Sequence, residues 1–447
     1  MKTSMSDAGR PPMLSGGLPL LGHIRELAAY PEGLVRRGYT ERGLVFRIKV
    51  PGNSDAVVVL GSANCQRFFH DENLSTEAAY PFFRTMFAPD FFSLAGPAEY
   101  REQKNIILPR FTGRQHEIYA AVMDAQARAF RERLGARGEF ELAEELGVLV
   151  MNIAAQAFLG DRFTAEMRGD VFGRFRWFSK QMTFAPRFVP TVGRVFGARA
   201  GAGLKADLTA MLARRRTRPL DEADFLQTLS TAAYSDGSAV PDAVLVNLVL
   251  LLLWAGHEST TGHLSWAVVE LLRHPEMLAR ARAEADELGD GPLDLEAVKR
   301  LRFIDACIHE SERMYPIAPV LMRKAVAEVE IDGYTLRSGT QVFTSPLVNH
   351  LLPDEHADPG VFNPDRYLGP DAKQERAKLM GFGGGVHKCL GTRFAKLEMT
   401  IILAHLLRHY ELELTTGDPK PDIGNKSRWP ARPCRVAYRS RSERASD

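Results

Sequence analysis

The sequence predicts a mainly α-helical protein with a small β portion, and three observations carry that expectation. Apolar residues recur at three- and four-residue steps through "HEIYAAVMDAQARAFRERLG", "LAEELGVLVMNIAAQAFLG" and "LKADLTAMLARRRT", the spacing that lines one face of a helix. Strand-like runs are short and lie towards the two ends, "LVFRIKV" and "AVVVLG" early, "VEIDGYTL" and "TQVFTSP" late, with "RSGTQ" as a turn between the last two. From Pro241 to His274 only two glycines, Gly256 and Gly262, interrupt a helical pattern. As one helix that segment would run roughly 50 Å at about 1.5 Å per residue.

Composition bounds the rest. Hydrophobic residues make up 45% and charged residues 25% of 447, the balance of a globular protein. Length alone would suggest two or three domains. A net charge of +2 gives no support to nucleic-acid binding. The four cysteines, Cys65, Cys307, Cys389 and Cys434, show no paired spacing, which fits a reducing cytoplasm and neither a disulfide framework nor a zinc site. The N-terminal segment lacks a signal-like apolar run, and "AVLVNLVLLLLWAG" is too short to span a bilayer. No membrane anchor is expected.

Two stretches carry chemistry. In "AGHESTTG", Glu258 and three hydroxyls interrupt the greasy rod of the long helix, and a buried carboxylate is costly unless paired, hydrated or functional. Gly256 there removes bulk and would let something flat approach the backbone. In "FGGGVHKCLG", Cys389 follows small residues and precedes the amphipathic "GTRFAKLEMTIILAHLLRHY". Taken alone, the cysteine reads as a small buried hydrophobe. Just before a helix N-terminus, it also reads as a stabilised thiolate, a good ligand for a soft metal.

The loop's F-x-x-G-x-x-x-C-x-G, with Phe382, Gly385, Cys389 and Gly391, resembles the haem-ligand loop of the cytochrome P450 family. Glu310 and Arg313 in "CIHESERMYP" resemble the family's E-x-x-R, and Arg366 in "FNPDRY" the arginine that completes that triad. Taken alone, Glu310 and Arg313 would read as an ordinary surface salt bridge. "AGHEST" resembles the family's oxygen-side motif. The resemblance makes Glu258, Ser259 and the following Thr260 the catalytic group, with serine where threonine is usual. It also sets Ala255 and Gly256 against the haem. It implies the family's fold, a triangular prism with a long central helix over haem b, in a single domain spanning 1–447 with about 1–15 and 440–447 frayed. Cys389 becomes the iron ligand, and Phe382 covers its sulfur. Tyr80, Tyr100, Lys104, Arg323 and His387 become cofactor contacts.

The implied activity is monooxygenation of an apolar, polycyclic or isoprenoid-like molecule. No flavin or nicotinamide motif is present, so electrons would come from a ferredoxin or flavodoxin with its reductase. Lys104, Arg110, Arg114, Lys388, Arg393 and Lys396 are candidates for docking that partner, or an ordinary solvated face. "AYPFFRTMFAPDFF" and the residues near Arg323 supply the pocket candidates Phe82, Phe83, Met86, Phe87, Val320 and Leu321. "AYPF" and "GHLSW" resemble the sterol 14α-demethylase branch. That branch has histidine and threonine where Glu258 and Ser259 stand, which points to altered chemistry or substrate. "FGRFRWFSKQMTFAPRF" is either a substrate lid or core. The alternatives are a peroxide-using or rearranging haem-thiolate enzyme, a non-catalytic haem-bound carrier, and a helical binding protein without haem.

Overall fold

The computed structural model describes residues 9–50, 54–80, 83, 86–87, 91–160, 162–167, 169–181, 191–220, 224–422 and 427–444. The chain divides into two compact units. The first comprises Met1–Pro81, Glu312–Phe362 and Lys373–Cys389; the second comprises Phe82–Ser311, Asn363–Ala372 and Leu390–Asp447. In chain order the described strands are β1 (Val45–Val50), β2 (Ser54–Val59), β3 (Leu74–Ser75), β4 (Arg137–Glu141), β5 (Leu321–Ala325), β6 (Val329–Ile331), β7 (Tyr334–Leu336), β8 (Gln341–Thr344), β9 (Tyr410–Leu414) and β10 (Arg435–Ser440).

The first unit is built on a sheet of order β1-β2-β8-β5-β3. Side chains alternate across it, as the two-residue period of a strand requires. Phe46, Ile48, Ala56 and Val58 fill one core, while Val45, Val57 and Val59 fill another with Cys65, Phe68 and Phe69 of helix Ser62–His70. Both faces are covered, which explains the unbroken apolar run "AVVVLG". β6 and β7 form a separate hairpin around Asp332 and Gly333, at φ of 52° and 75°. That is the left-handed pair an Asp-Gly hairpin turn needs. "RSGTQ" leads from β7 to β8, but β8 pairs with β2 and β5, so this turn joins strands that are not partners.

The second unit is helical, with one sheet of order β4-β10-β9. Its axis is the continuous helix Asp242–Arg273, with Pro241 and His274 as its caps. This long helix packs against helix Leu142–Leu159. Both are long and apolar enough to cross a membrane by composition, yet most of each is buried inside the protein. Phe175 and Phe178 of helix Val171–Ser179 are fully buried, so that part of the second aromatic cluster is core; residues 182–190 of it lie outside the described residues.

Some residues of the ends expected to fray are described. Leu14 is buried and its N–H donates to Arg47 O at 2.8 Å. Ser440 ends β10, and Arg441 pairs with Asp286 at 2.8 Å while donating to the carbonyls of Leu407 and Arg408. Residues 1–8 and 445–447 lie outside the described residues.

Candidate functional site

In the first unit the cysteine loop is closed by its own backbone. Cys389 N–H donates to Phe382 O at 3.0 Å, and Gly383 N–H to Met380 O at 3.0 Å. Gly385 sits at φ +62°, and a Cβ there would lie 2.1 Å from Phe69 O; on Gly384 it would lie 2.7 Å from Phe69 Cγ. The loop's glycines are thus demanded by helix Ser62–His70, against which they press, and not only by a cofactor. Gly385→Ala is expected to destabilise the fold by at least about 2 kcal/mol, through left-handed backbone and the clash together. A lowered thermal midpoint and poor haem retention would report it. Cys389 is exposed, whereas Cys65, Cys307 and Cys434 are buried. Phe382 and His387 are partly exposed beside it in sequence.

Tyr80 and Arg323 meet at the carbonyl-amide of Met322. Tyr80 Oη accepts Met322 N–H at 2.8 Å, and Arg323 donates to Met322 O at 2.9 Å with its guanidinium 5.1 Å from the Phe68 ring. Burial raises the Tyr80 phenol's pKa, against the pull of Arg323. Val320 and Leu321 pack against the two sheet cores, Val320 on the Phe46 side and Leu321 on the Phe68 side. Both remain partly exposed.

Helix Arg302–Met314 places Glu310 and Arg313 one turn apart. Glu310 Oε1 accepts Asn363 N–H at 2.9 Å and Arg366 Nε at 3.3 Å. Arg313 donates to His350 O, Pro359 O and Val361 O. Both side chains are fully buried, so neither is an ordinary surface ion pair. Glu310→Ala is expected to cost about 3–5 kcal/mol, since Arg366 loses a buried counter-charge; a denaturant midpoint measures it.

The long helix is buried from Val244 to Leu250 and again from Thr260 to Leu271. Between them Ala255 is exposed, and Leu251, Trp254, Glu258 and Ser259 are partly exposed. Steps of three and four residues put these on one helical face. Ser259 Oγ donates to Ala255 O at 2.8 Å. Thr260 lies on the buried side, its hydroxyl without a hydrogen-bond partner. A Cβ on Gly256 would touch Ala154 and Phe158 at 3.8 Å. Its missing side chain faces the neighbouring helix, while Gly256 itself is partly exposed beside the open Ala255.

Glu258 accepts a hydroxyl. Ser427 Oγ donates to its Oε2 at 3.0 Å, and Ser179 and Arg176 also draw its pKa down, yet burial still pushes it up. Phe83 and Phe87 each meet the Trp254 ring edge-on at 6.0 Å, and Met86 is buried between them in sequence. Phe82 lies outside the described residues. Tyr100 is buried against Phe92, with Lys104 Nζ 5.7 Å from its ring. Gly391 precedes Thr392, the first residue of helix Thr392–His409. Among the docking cations, Arg114, Lys388 and Arg393 are exposed, but Lys396 Nζ donates to His309 Nε2 at 2.7 Å, which draws it inward.

Among the described residues no three His, Cys, Asp or Glu side chains converge on a metal position. Cys389 offers one exposed sulfur, a donor that suits a metal whose other ligands come from a macrocycle. The bared stretch of an otherwise buried helix also fits a flat apolar group. Residues 11–436 match the cytochrome P450 family. The chain is a cytochrome P450.

This P450 is 28% identical to the sterol 14alpha-demethylase of Mycolicibacterium vanbaalenii, over 96% of this chain and 98% of that protein. It is 28% identical to the lanosterol 14-alpha demethylase of Rattus norvegicus, over 92% and 84%. The solved structure of retinoic acid bound cyanobacterial CYP120A1 superposes with a TM-score of 0.86 at 24% identity, covering 96% of this chain and 99% of that one. The P450 fold, haem as cofactor and monooxygenase chemistry follow from family membership.

Sequence reading of this P450 missed Ser179, Ser427 and Trp254, because nothing local marks a hydroxyl that reaches a distant carboxyl. It also missed Glu398, a fully buried carboxyl with no hydrogen-bond partner on either oxygen, which burial pushes well above the ordinary value. The signal was available: one glutamate on the buried face of "FAKLEMTIILAHLL".

Proposed function

We propose that this P450 inserts one oxygen atom into an apolar, polycyclic or isoprenoid-like molecule, by hydroxylation or oxidative demethylation. Its electrons come from a separate ferredoxin or flavodoxin and its reductase. The observation that carries the substrate class is the aromatic wall of Phe83, Phe87 and Trp254 beside the open Ala255 position. Broad rings suit rigid polycyclic surface. The sterol and lanosterol demethylases among its relatives support the same class.

Haem, when bound, supplies dioxygen activation at its iron. Cys389 is the proposed thiolate ligand, with Phe382 beside the sulfur and Gly391 leading into the following helix. Tyr80, Tyr100, Lys104, Arg323 and His387 are the proposed holders of the propionates, groups that need cations and hydroxyls. Ala255 presents a small surface to the macrocycle. Glu258 holds a proton at its carboxyl, and Ser259 is the hydroxyl next to it. Releasing its bond to Ala255 O would free that hydroxyl to donate. Apolar walls exclude bulk water.

The exposed Arg114, Lys388 and Arg393 are the proposed contacts for an acidic electron carrier. The chain works as one P450 domain in the cytoplasm, which four free cysteines support. Spectral titration of the ferric protein tests the substrate class. Lanosterol is expected to displace water from the iron and shift the spectrum at far lower concentration than palmitate does. Equal or weaker response to lanosterol would overturn the polycyclic assignment.

A further inference from the structure

The connection from β9 to β10 is fastened along one face of the long helix. Arg273 donates to Pro419 O at 2.7 Å, the Trp266 indole N–H to Arg428 O at 2.9 Å, and the Trp429 indole N–H to Glu258 O at 2.9 Å. Glu258, Trp266 and Arg273 stand about two turns apart in succession, so they line up on that face. The connection also braces itself: Asp422 N–H donates to Trp429 O at 2.8 Å, and Ala431 N–H to Lys420 O at 2.7 Å. Arg428 takes φ +49°, a left-handed backbone unusual for a residue with a Cβ. The turn there brings the side chains on either side of it, Ser427 and Trp429, to the same residue of the helix.

Glu258 is gripped at two points. Ser427 Oγ donates to its carboxyl Oε2 at 3.0 Å, while Trp429 takes up its main-chain carbonyl. A carbonyl oxygen has two lone pairs, so the indole bond adds to the bonding of the continuous helix. Trp429 and Trp266 are buried, and the Trp429 ring meets the His257 ring edge-on at 5.9 Å. Glu258 itself stays partly exposed.

We propose that Ser427 is a positioning residue for Glu258: its hydroxyl, anchored by the Trp429 and Trp266 bonds, selects which carboxyl oxygen carries the proton. In a neutral carboxyl the carbonyl oxygen is the better acceptor. A hydroxyl donating to Oε2 therefore leaves the proton on Oε1. The same bond strengthens when the acid ionises, so it also favours release of that proton. The inference rests on the reading of Glu258 as the proton-delivering acid.

Other groups act on the same proton. Ser179 and Arg176 of helix Val171–Ser179 also favour the ionised carboxyl, and Arg176 is bound to Glu144 of helix Leu142–Leu159 at 2.5 Å. Arg432 pairs with the same Glu144 at 2.7 Å. Burial pushes His257 down to about 3, so it stays neutral. Arg428 belongs to the turn that carries Ser427. The substitutions below leave all of these side chains in place.

Infrared spectroscopy of the haem-loaded protein tests the inference, with the carboxyl C=O band of Glu258 assigned by its loss in Glu258→Gln. In Ser427→Ala that band is expected to move to higher frequency, because its carbonyl loses a donor. It should also persist to a pH about one unit higher, the loss of one hydrogen bond to a charged group. The alkaline limb of turnover should move with it. Ser427→Thr keeps the hydroxyl and is expected to restore both values. Trp429→Phe, which keeps a ring beside His257 but has no N–H, is expected to shift both in the same direction by less, and Trp177→Phe leaves both in place. A band unmoved in frequency or in pH in Ser427→Ala overturns the inference; an unmoved one in Trp429→Phe overturns the anchoring role of the indole. Should Ser427→Ala fail to retain haem, Ser427→Cys, whose thiol is a weak donor, carries the comparison. The underlying reading fails separately, if Glu258→Gln keeps wild-type product per electron consumed; the band shift in Ser427→Ala does not depend on that outcome.

Discussion

Cys389→Ser is expected to abolish the spectral signature of thiolate-ligated haem and to bring monooxygenase turnover to background. Cys65, Cys307 and Cys434 cannot substitute for it. Each is buried, and burial pushes Cys65 and Cys434 up to about 12 and Cys307 well above its ordinary value. Such thiols do not ionise near neutral pH, and the thiolate is the form that binds iron. Cys389 is exposed and its backbone position is fixed by the bond from its N–H to Phe382 O. A serine oxygen there keeps the loop's shape but withdraws the electron push that favours O–O cleavage. Single serine substitutions at the other three cysteines serve as controls. Each is expected to keep the thiolate spectrum, with only modest loss of thermal stability. The reduced protein's carbon monoxide difference spectrum decides the matter, and an unchanged spectrum in Cys389→Ser would sink the assignment.

The cysteine loop was legible because its chemistry and its sterics are both local. Gly383, Gly384 and Gly385 are required by backbone angle and by the nearness of Phe69, and such demands leave a mark in consecutive letters. The long helix was legible for the same reason, since an unbroken apolar pattern needs no partner to be recognised. What the pattern could not show is where that helix opens. The polar letters after Ala255 mark an interruption, but only packing decides that Leu251, Trp254, Ala255, Gly256, Glu258 and Ser259 stay uncovered. The sheets were half legible: β1 and β2 carry β-branched residues, whereas β3 has two residues, β9 is charged at alternate positions and β10 begins with an arginine and carries a second near its end. A glycine in sequence does not say which neighbour its missing side chain faces, and at Gly256 that direction is towards Ala154 and Phe158. Ser179 and Ser427 stayed hidden because their meaning depends on a carboxyl far along the chain.

Glu258→Gln is expected to lower turnover by about 10²–10⁴-fold, the usual loss when a positioned general acid is removed. Glutamine keeps the shape and can still accept from Ser427, but it has no acidic proton to deliver. Uncoupling should accompany the loss, with electrons diverted to peroxide instead of product. The pH dependence gives a second, independent reading of the same side chain. Burial raises the Glu258 carboxyl above its ordinary 4.5, despite the opposing pull of Ser179, Ser427 and the charge of Arg176. The folded state therefore binds this proton more tightly than the unfolded chain does. Its contribution to stability is complete below about 4.5 and is lost as pH rises through the folded-state value. The wild-type protein should accordingly lose stability across that window, and the glutamine variant should not show that component. Turnover should fall over the same window, because the protonated carboxyl is the form that donates. A wild-type alkaline limb that survives intact in Glu258→Gln would assign the titration to another group. Product formation and peroxide release per electron, followed across pH in both proteins, separate a lost proton donor from a merely weakened fold.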